Sequence, residues 1–171
     1  MQKIIKIIIL FILLFVIGIF YISLTRDTNY NTSSLINKET PEFKIISFDE
    51  SSLYTRDDIK KNNFTLINFW ASWCAPCKIE HPILMKLSQT KNLMIIGVNF
   101  KDKEIQAKTF LNNLGNPYDL LAKDENGKQS VKFGIYGIPE SILINKDLMI
   151  IQKFVGPLSI DDYDNIIKIM E

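Results

Sequence analysis

The sequence predicts an α/β domain, a mixed sheet with helices on both faces, preceded by one helix able to cross a membrane. Three observations carry that prediction. Residues 7–24, IIILFILLFVIGIFYISL, are an uncharged apolar run of 18, the length a transmembrane helix needs. Downstream, apolar strand-like runs alternate with helical periodicities at 75–89 and 103–114. The chain then closes with two strands and a helix, so the order βαβαβ is followed by ββα. A chain of 171 residues has room for one such domain plus the leading segment.

The apolar run follows Lys3 and Lys6 and precedes Arg26 and Asp27. The positive flank is the N-terminal one, which puts residues 1–6 in the cytoplasm and everything after Leu24 outside it. A cleaved signal peptide has a shorter apolar core and ends in a small-residue site, whereas the first alanine here is Ala71. The Ser23–Thr25 region leaves a cleavage reading open; a soluble core helix apolar all round would need a much larger protein around it. Residues 25–40, TRDTNYNTSSLINKET, are polar without apolar periodicity and read as a tether, with the folded domain over 41–171.

Within the domain, FKII (43–46) is a short strand, and TRDD (55–58) has the capping-box pattern of a short helix. FTLINFW (64–70) is a strong strand, bounded by Asn62 and Asn63 and by the cysteine turn. Ile79, Ile83, Leu84 and Leu87 recur at helical spacing, so 75–89 is a helix. LMIIGVNF (93–100) is a continuous apolar strand of the kind buried on both faces. A helix over 103–114 stops at Gly115. Tyr118–Ala122 is a weaker strand, DENGK (124–128) a turn, and 129–133 a single helical turn. SILINKD (141–147) and MIIQKFVG (149–156) are strands joined by a tight turn, and Ser159 caps a last helix through Met170.

Charge says little about a partner. The chain carries 20 basic and 19 acidic residues, or 18 against 19 without Lys3 and Lys6, which argues against a nucleic-acid binder. Cysteine usage is more informative. The only two, Cys74 and Cys77, stand in WCAPCK, too close together to staple distant segments. A zinc site would want two further Cys or His ligands, and His81 is the only histidine. A c-type haem site needs His after the second cysteine, where Lys78 stands. A structural disulfide closing so small a loop has a modest effect on the unfolded chain.

A reversible redox pair survives these exclusions. Strand 64–70 delivers Cys74 to the N-cap of helix 75–89, where unsatisfied N–H groups and the helix dipole stabilise a thiolate. Cys74 is then the attacking sulfur, and Cys77, one turn in, resolves the mixed disulfide. Pro76 suits the first helical turn. Trp70 and Trp73 read at least as readily as packing residues as partner contacts.

FWASWCAPC at a strand end, with Gly-Ile-Pro much later before another strand, resembles the thioredoxin superfamily. WCAPCKIEHPIL (73–84), GVNFKD (97–102), FLNNLGNPY (110–118) and FGIYGIPESILI (133–144) further resemble the CcmG/DsbE proteins, membrane-anchored thiol-disulfide oxidoreductases of cytochrome c maturation. The resemblance covers about residues 41–158, and the segment between Phe48 and Phe64 departs from it. It implies a thioredoxin-like fold and a cis-proline at Pro139, which leaves the backbone of Ile138 free for an incoming peptide. It also implies acidic residues near the site at Glu80 and Glu140. Glu80, three residues after Cys77, falls within helical reach of the pair, where a carboxylate would raise a thiol's pKa and shuttle its proton. The strand position of Asn68 is a buried aspartate in thioredoxin. Asn cannot ionise, so Glu80 is the better candidate for that work. His81 stays outside the catalytic set, and Lys78 reads as solvent-exposed.

The activity so implied is reduction of a disulfide in apocytochrome c or in a dedicated thiol carrier. Re-reduction would come across the bacterial inner membrane from an integral-membrane thiol electron donor, with the domain in the periplasm and no bound cofactor needed. Two rivals stand beside it. One is a general disulfide oxidant or isomerase using the same residues, since C-x-x-C does not fix direction; the other is a chaperone module for apocytochrome or haem.

Overall fold

The computed structural model describes residues 2–24 and 35–171. Helix α1 (Gln2–Leu24) and the domain from Leu35 onward are separate compact units. α1 has 23 residues, none buried, and at 1.5 Å per residue its length of about 35 Å exceeds the hydrocarbon thickness of a bilayer. It begins earlier than the apolar run, taking in Lys3 and Lys6. Of the expected tether, 25–34 lie outside the described residues.

The domain is built from β1 (Ile45–Ser47), β2 (Leu53–Tyr54), α2 (Arg56–Ile59), β3 (Phe64–Trp70), α3 (Ala75–Leu87), β4 (Leu93–Phe100) and α4 (Glu104–Leu114). These are followed by β5 (Leu120–Asp124), α5 (Lys128–Lys132), β6 (Glu140–Asn145), β7 (Ile150–Val155) and α6 (Ile160–Met170). One seven-stranded sheet has the order β2-β1-β5-β4-β3-β6-β7. β3 is parallel to β4 and β4 to β5, while β6 runs antiparallel to β3 and β7 to β6.

The steps β3–α3–β4 and β4–α4–β5 move in one direction along the sheet, so right-handed crossovers put α3 and α4 on the same face. There Leu66, Ile95 and Leu143 pack with Leu84, Leu87, Ala107, Leu111 and Ile166 of α6. Their strand neighbours Ile67, Ile96 and Ile142 point the other way, as strand geometry requires, and meet Ile59, Phe133 and Ile135. The mixed sheet between two helical layers is the expected fold, a thioredoxin-like one.

Three expectations need correction. β5 starts at Leu120, two residues later than expected, because Tyr118 is buried inward and the Asp119 carboxylate accepts the Ile95 N–H at 2.7 Å before pairing begins. β2, unforeseen, pairs with β1; two residues carry no periodicity to read. Residues 37–40 are not tether. Asn37 N–H donates to the Ile150 carbonyl at 2.8 Å, Ile150 N–H to that of Lys38 at 2.9 Å, and Thr40 N–H to that of Leu148 at 2.7 Å. The domain therefore starts before Pro41: backbone pairing covers the β7 edge without needing apolar side chains.

This topology gathers one end of the sheet into a site. β3 and β4 end together, with Trp70 opposite Asn99, so the turn 71–74 lies beside the loop 101–103. Phe69 opposite Glu140 brings the start of β6, and Pro139, to the same end.

Candidate active site

β3 ends on the buried Trp70, and the next residues are gripped from β4. Asp102 accepts the Ser72 N–H at 2.6 Å and the Ser72 hydroxyl at 2.8 Å. The same carboxylate accepts the Asn99 amide at 3.1 Å and the Lys103 N–H at 2.7 Å. The Trp73 indole N–H donates to the Lys101 carbonyl at 3.1 Å, which fixes a side chain that is 57% exposed. These bonds hold the two residues before Cys74.

Cys74 is the N-cap of α3, with Pro76 in the first turn. Its sulfur accepts the Cys77 N–H at 3.2 Å. Cys74 and Cys77 are joined, S–S 2.06 Å. Both are buried, whereas Ala75, Pro76, Lys78 and Ile79 are exposed.

Glu80 faces inward from α3 and is fully buried. Its Oε1 accepts the Asn68 Nδ2 at 2.8 Å and its Oε2 the Leu158 N–H at 2.9 Å. Burial pushes its carboxyl up to about 7, against the opposing pull of the Leu158 and Asn68 donors. Asn68 also donates to Ser141 Oγ at 3.0 Å and accepts from the Tyr118 hydroxyl at 2.9 Å. Tyr118 lies 5.5 Å from the Trp70 ring and fills space left by Gly97, where a Cβ would come within 2.6 Å of its ring. His81 serves packing: its Nε2 meets the Gly115 carbonyl at 3.0 Å and its ring stands edge-on to Phe110, and burial lowers its pKa.

The peptide bond Ile138–Pro139 is cis. Ile138 packs against the core cluster that contains both cysteines, and among the described residues no hydrogen bond engages its backbone. Glu140 is buried too. Its Oε1 accepts the Tyr136 and Gly137 N–H groups at 3.1 and 3.0 Å, and its Oε2 pairs with Lys153 Nζ at 2.7 Å. Lys153 also donates to the Gly134 carbonyl at 2.6 Å. Glu140 thus braces the loop before Pro139, through its bonds to that loop and to Lys153. Sequence reasoning missed Lys153, Tyr118, Ser141 and the Asp102–Ser72 clamp; GVNFKD, already part of the resemblance, was the one signal for the last.

A cysteine pair at a strand-to-helix turn of a thioredoxin-like fold, with a buried carboxylate three residues further along the same helix, defines a thiol-disulfide oxidoreductase. The redoxin family model matches residues 36–167. The thiol:disulfide interchange protein HelX of Rhodobacter capsulatus is 37% identical over 136 residues, covering 80% of this chain and 77% of that protein. DsbE of Pseudomonas aeruginosa is 36% identical over 152 residues, covering 85% and 84%. A crystal structure of a DsbE from Chlorobium tepidum superposes with a TM-score of 0.65 at 26% identity, over 79% of this chain and 95% of that one. The chain belongs to the redoxin family, among the DsbE-type thiol:disulfide interchange proteins.

Proposed function

We propose that this chain is a single-pass membrane protein whose periplasmic domain reduces a disulfide during cytochrome c maturation, in apocytochrome c or in a dedicated thiol carrier. The observation that carries the chemistry is the Cys74–Cys77 disulfide at the α3 N-terminus, with Glu80 buried on the same helix three residues after Cys77. The cytochrome role rests on the sequence resemblance, and the topology on α1 with its lysines on the N-terminal side.

In the reduced protein the Cys74 thiolate attacks one sulfur of the substrate disulfide and displaces the other as a thiolate, forming a mixed disulfide. The Cys77 thiol then loses its proton to the Glu80 carboxylate and attacks Cys74 Sγ. The substrate sulfur that Cys74 had captured leaves as a thiolate, and the protein ends in the oxidised form seen here. Two electrons have passed to the substrate, and an integral-membrane thiol donor restores the dithiol. The backbone of Ile138 offers the bonds that align the substrate strand; Pro139 and Glu140 hold it in place.

The test is a trap. Cys77→Ser leaves Cys74 to hold its partner as a mixed disulfide that mass spectrometry identifies. Capture of apocytochrome c or of a thiol protein needed for its assembly supports the reading. Capture of unrelated secreted proteins, with a reduction potential well above the glutathione range, would establish the oxidant or isomerase instead. Unimpaired cytochrome c assembly with both cysteines replaced by serine would leave the chaperone.

A further inference from the structure

We propose that Tyr118 is a positioning residue of the thiol-disulfide site: its hydroxyl fixes which way round the buried Asn68 amide stands, and so keeps the amide NH₂ turned to Glu80. This rests on the reading of Glu80 as the proton acceptor for Cys77.

An asparagine in place of an ionisable group removes a charge but introduces a direction, because one end of the amide donates and the other accepts. Both ends of Asn68 are engaged. Nδ2 donates to Glu80 at 2.8 Å and to Ser141 at 3.0 Å, while Oδ1 accepts from Tyr118 at 2.9 Å. The reversed amide would set Oδ1 against Glu80, an arrangement that suits only a protonated carboxyl, since two acceptors cannot bond each other. The Tyr118 hydroxyl opposes that reversal by donating to Oδ1. The ring has little freedom to turn away, being stacked on Trp70 and laid over Gly97. Asn68 and Gly97 are themselves paired across β3 and β4, so the hydroxyl and the amide are placed by one strand pair.

The titratable groups on the elements around Glu80 do not supply this function. His81 is turned to Gly115 and Phe110. Glu140, beside Ser141 in β6, is paired with Lys153 of β7, and the cysteines do not titrate while oxidised. The tyrosine itself stays protonated, its pKa raised well above the usual value by burial and then by the Glu80 charge.

Infrared absorption of the protonated carboxyl, followed against pH in the oxidised full-length chain in detergent with Glu80→Gln as blank, reads the Glu80 midpoint directly. Tyr118→Phe should raise that midpoint by roughly half to one pH unit, the scale of one indirect hydrogen bond. A 3-fluorotyrosine placed at position 118 keeps the shape, donates more strongly and should lower it. In an Asn68→Ala background the loss of the hydroxyl should have no further effect. An unchanged or lowered midpoint in Tyr118→Phe, or the same shift without Asn68, overturns the proposal. The midpoint reports Glu80 whatever Glu80 does. If Glu80→Gln instead left the pH dependence of disulfide exchange unaltered, the proton-acceptor reading would fall while the positioning of Asn68 stood.

Discussion

Two buried carboxylates flank the candidate site, and they are held in opposite ways. Glu80 is 0% and Glu140 2% exposed, and each accepts from backbone N–H groups or a neutral amide. Glu140 has in addition the Lys153 ammonium at 2.7 Å, whereas no cation pairs with Glu80 among the described residues. A buried ion pair is a fixture whose loss costs several kcal/mol. A buried carboxyl held only by neutral donors sits near the balance between its two protonation states, with a pKa of about 7. The first is suited to shaping a loop, the second to handling a proton.

The largest effect lies where neither carboxylate can compensate. Cys74→Ser should reduce disulfide exchange to the uncatalysed background in an insulin-reduction assay. Cys77→Ser should stop turnover while accumulating mixed disulfide. Next in size is the test that makes Glu140 resemble Glu80. Lys153→Met leaves Glu140 buried without its cation and should cost about 3–5 kcal/mol in urea unfolding. Adding Glu140→Gln should restore much of it, since the amide removes the unpaired charge. A loss under about 1 kcal/mol in the single variant would mean the pair is not a structural fixture.

The two halves of this contrast were unequally legible in the sequence. Glu80 and Glu140 were both named by the family resemblance, and only Glu80 had local support, lying three residues from Cys77 on a helix whose start is marked by the cysteines and Pro76. β4 fell on LMIIGVNF because a strand buried on both faces is a nearly continuous apolar run, and β3 on FTLINFW because Asn62, Asn63 and the cysteine turn bound it. Lys153 could not be found, since a lysine within IIQKFV reads as solvent-facing until β6 and β7 are paired. Asp102 and Ser72 stand 30 positions apart, and Tyr118 is 50 from Asn68. Such contacts depend on which strands become neighbours, which local periodicity does not carry. The pairing of 37–40 with β7 was hidden for a related reason: backbone bonds at a sheet edge leave no mark on side-chain pattern.

Glu80→Gln tests the other half. A carboxyl raised from 4.5 to about 7 is protonated in both folded and unfolded states below about pH 4.5. As pH rises toward 7 the unfolded chain releases this proton and the folded one keeps it, so stability falls across that window. The whole effect is at most about 3 kcal/mol. Glu80→Gln should remove that slope and make the protein more stable at pH 8, while slowing exchange about 100-fold through loss of the proton acceptor. A variant that is destabilised at pH 8 would place Glu80 with Glu140, as a structural charge.

The smallest expected effect concerns the Asp102 clamp, a third carboxylate that is partly exposed and bonded to neutral donors alone. It accepts two bonds from Ser72, one to each oxygen, and further bonds from Asn99 and Lys103. Asp102→Asn keeps the shape but turns one oxygen into a donor, which then faces N–H and O–H groups that also donate. The loss should be about 1–2 kcal/mol of stability, the scale of hydrogen bonds to a charged acceptor. Because Ser72 leads directly into Trp73 and Cys74, the same change should loosen the indole from the Lys101 carbonyl, and Trp73 fluorescence should become more accessible to a neutral quencher. Ser72→Ala provides the comparison, since it removes the hydroxyl bond and leaves the backbone one. If both variants matched the native protein in stability and quenching, the turn would be held by the Cys74–Cys77 bond alone, and reduction of that bond would then mobilise Trp73 in every variant.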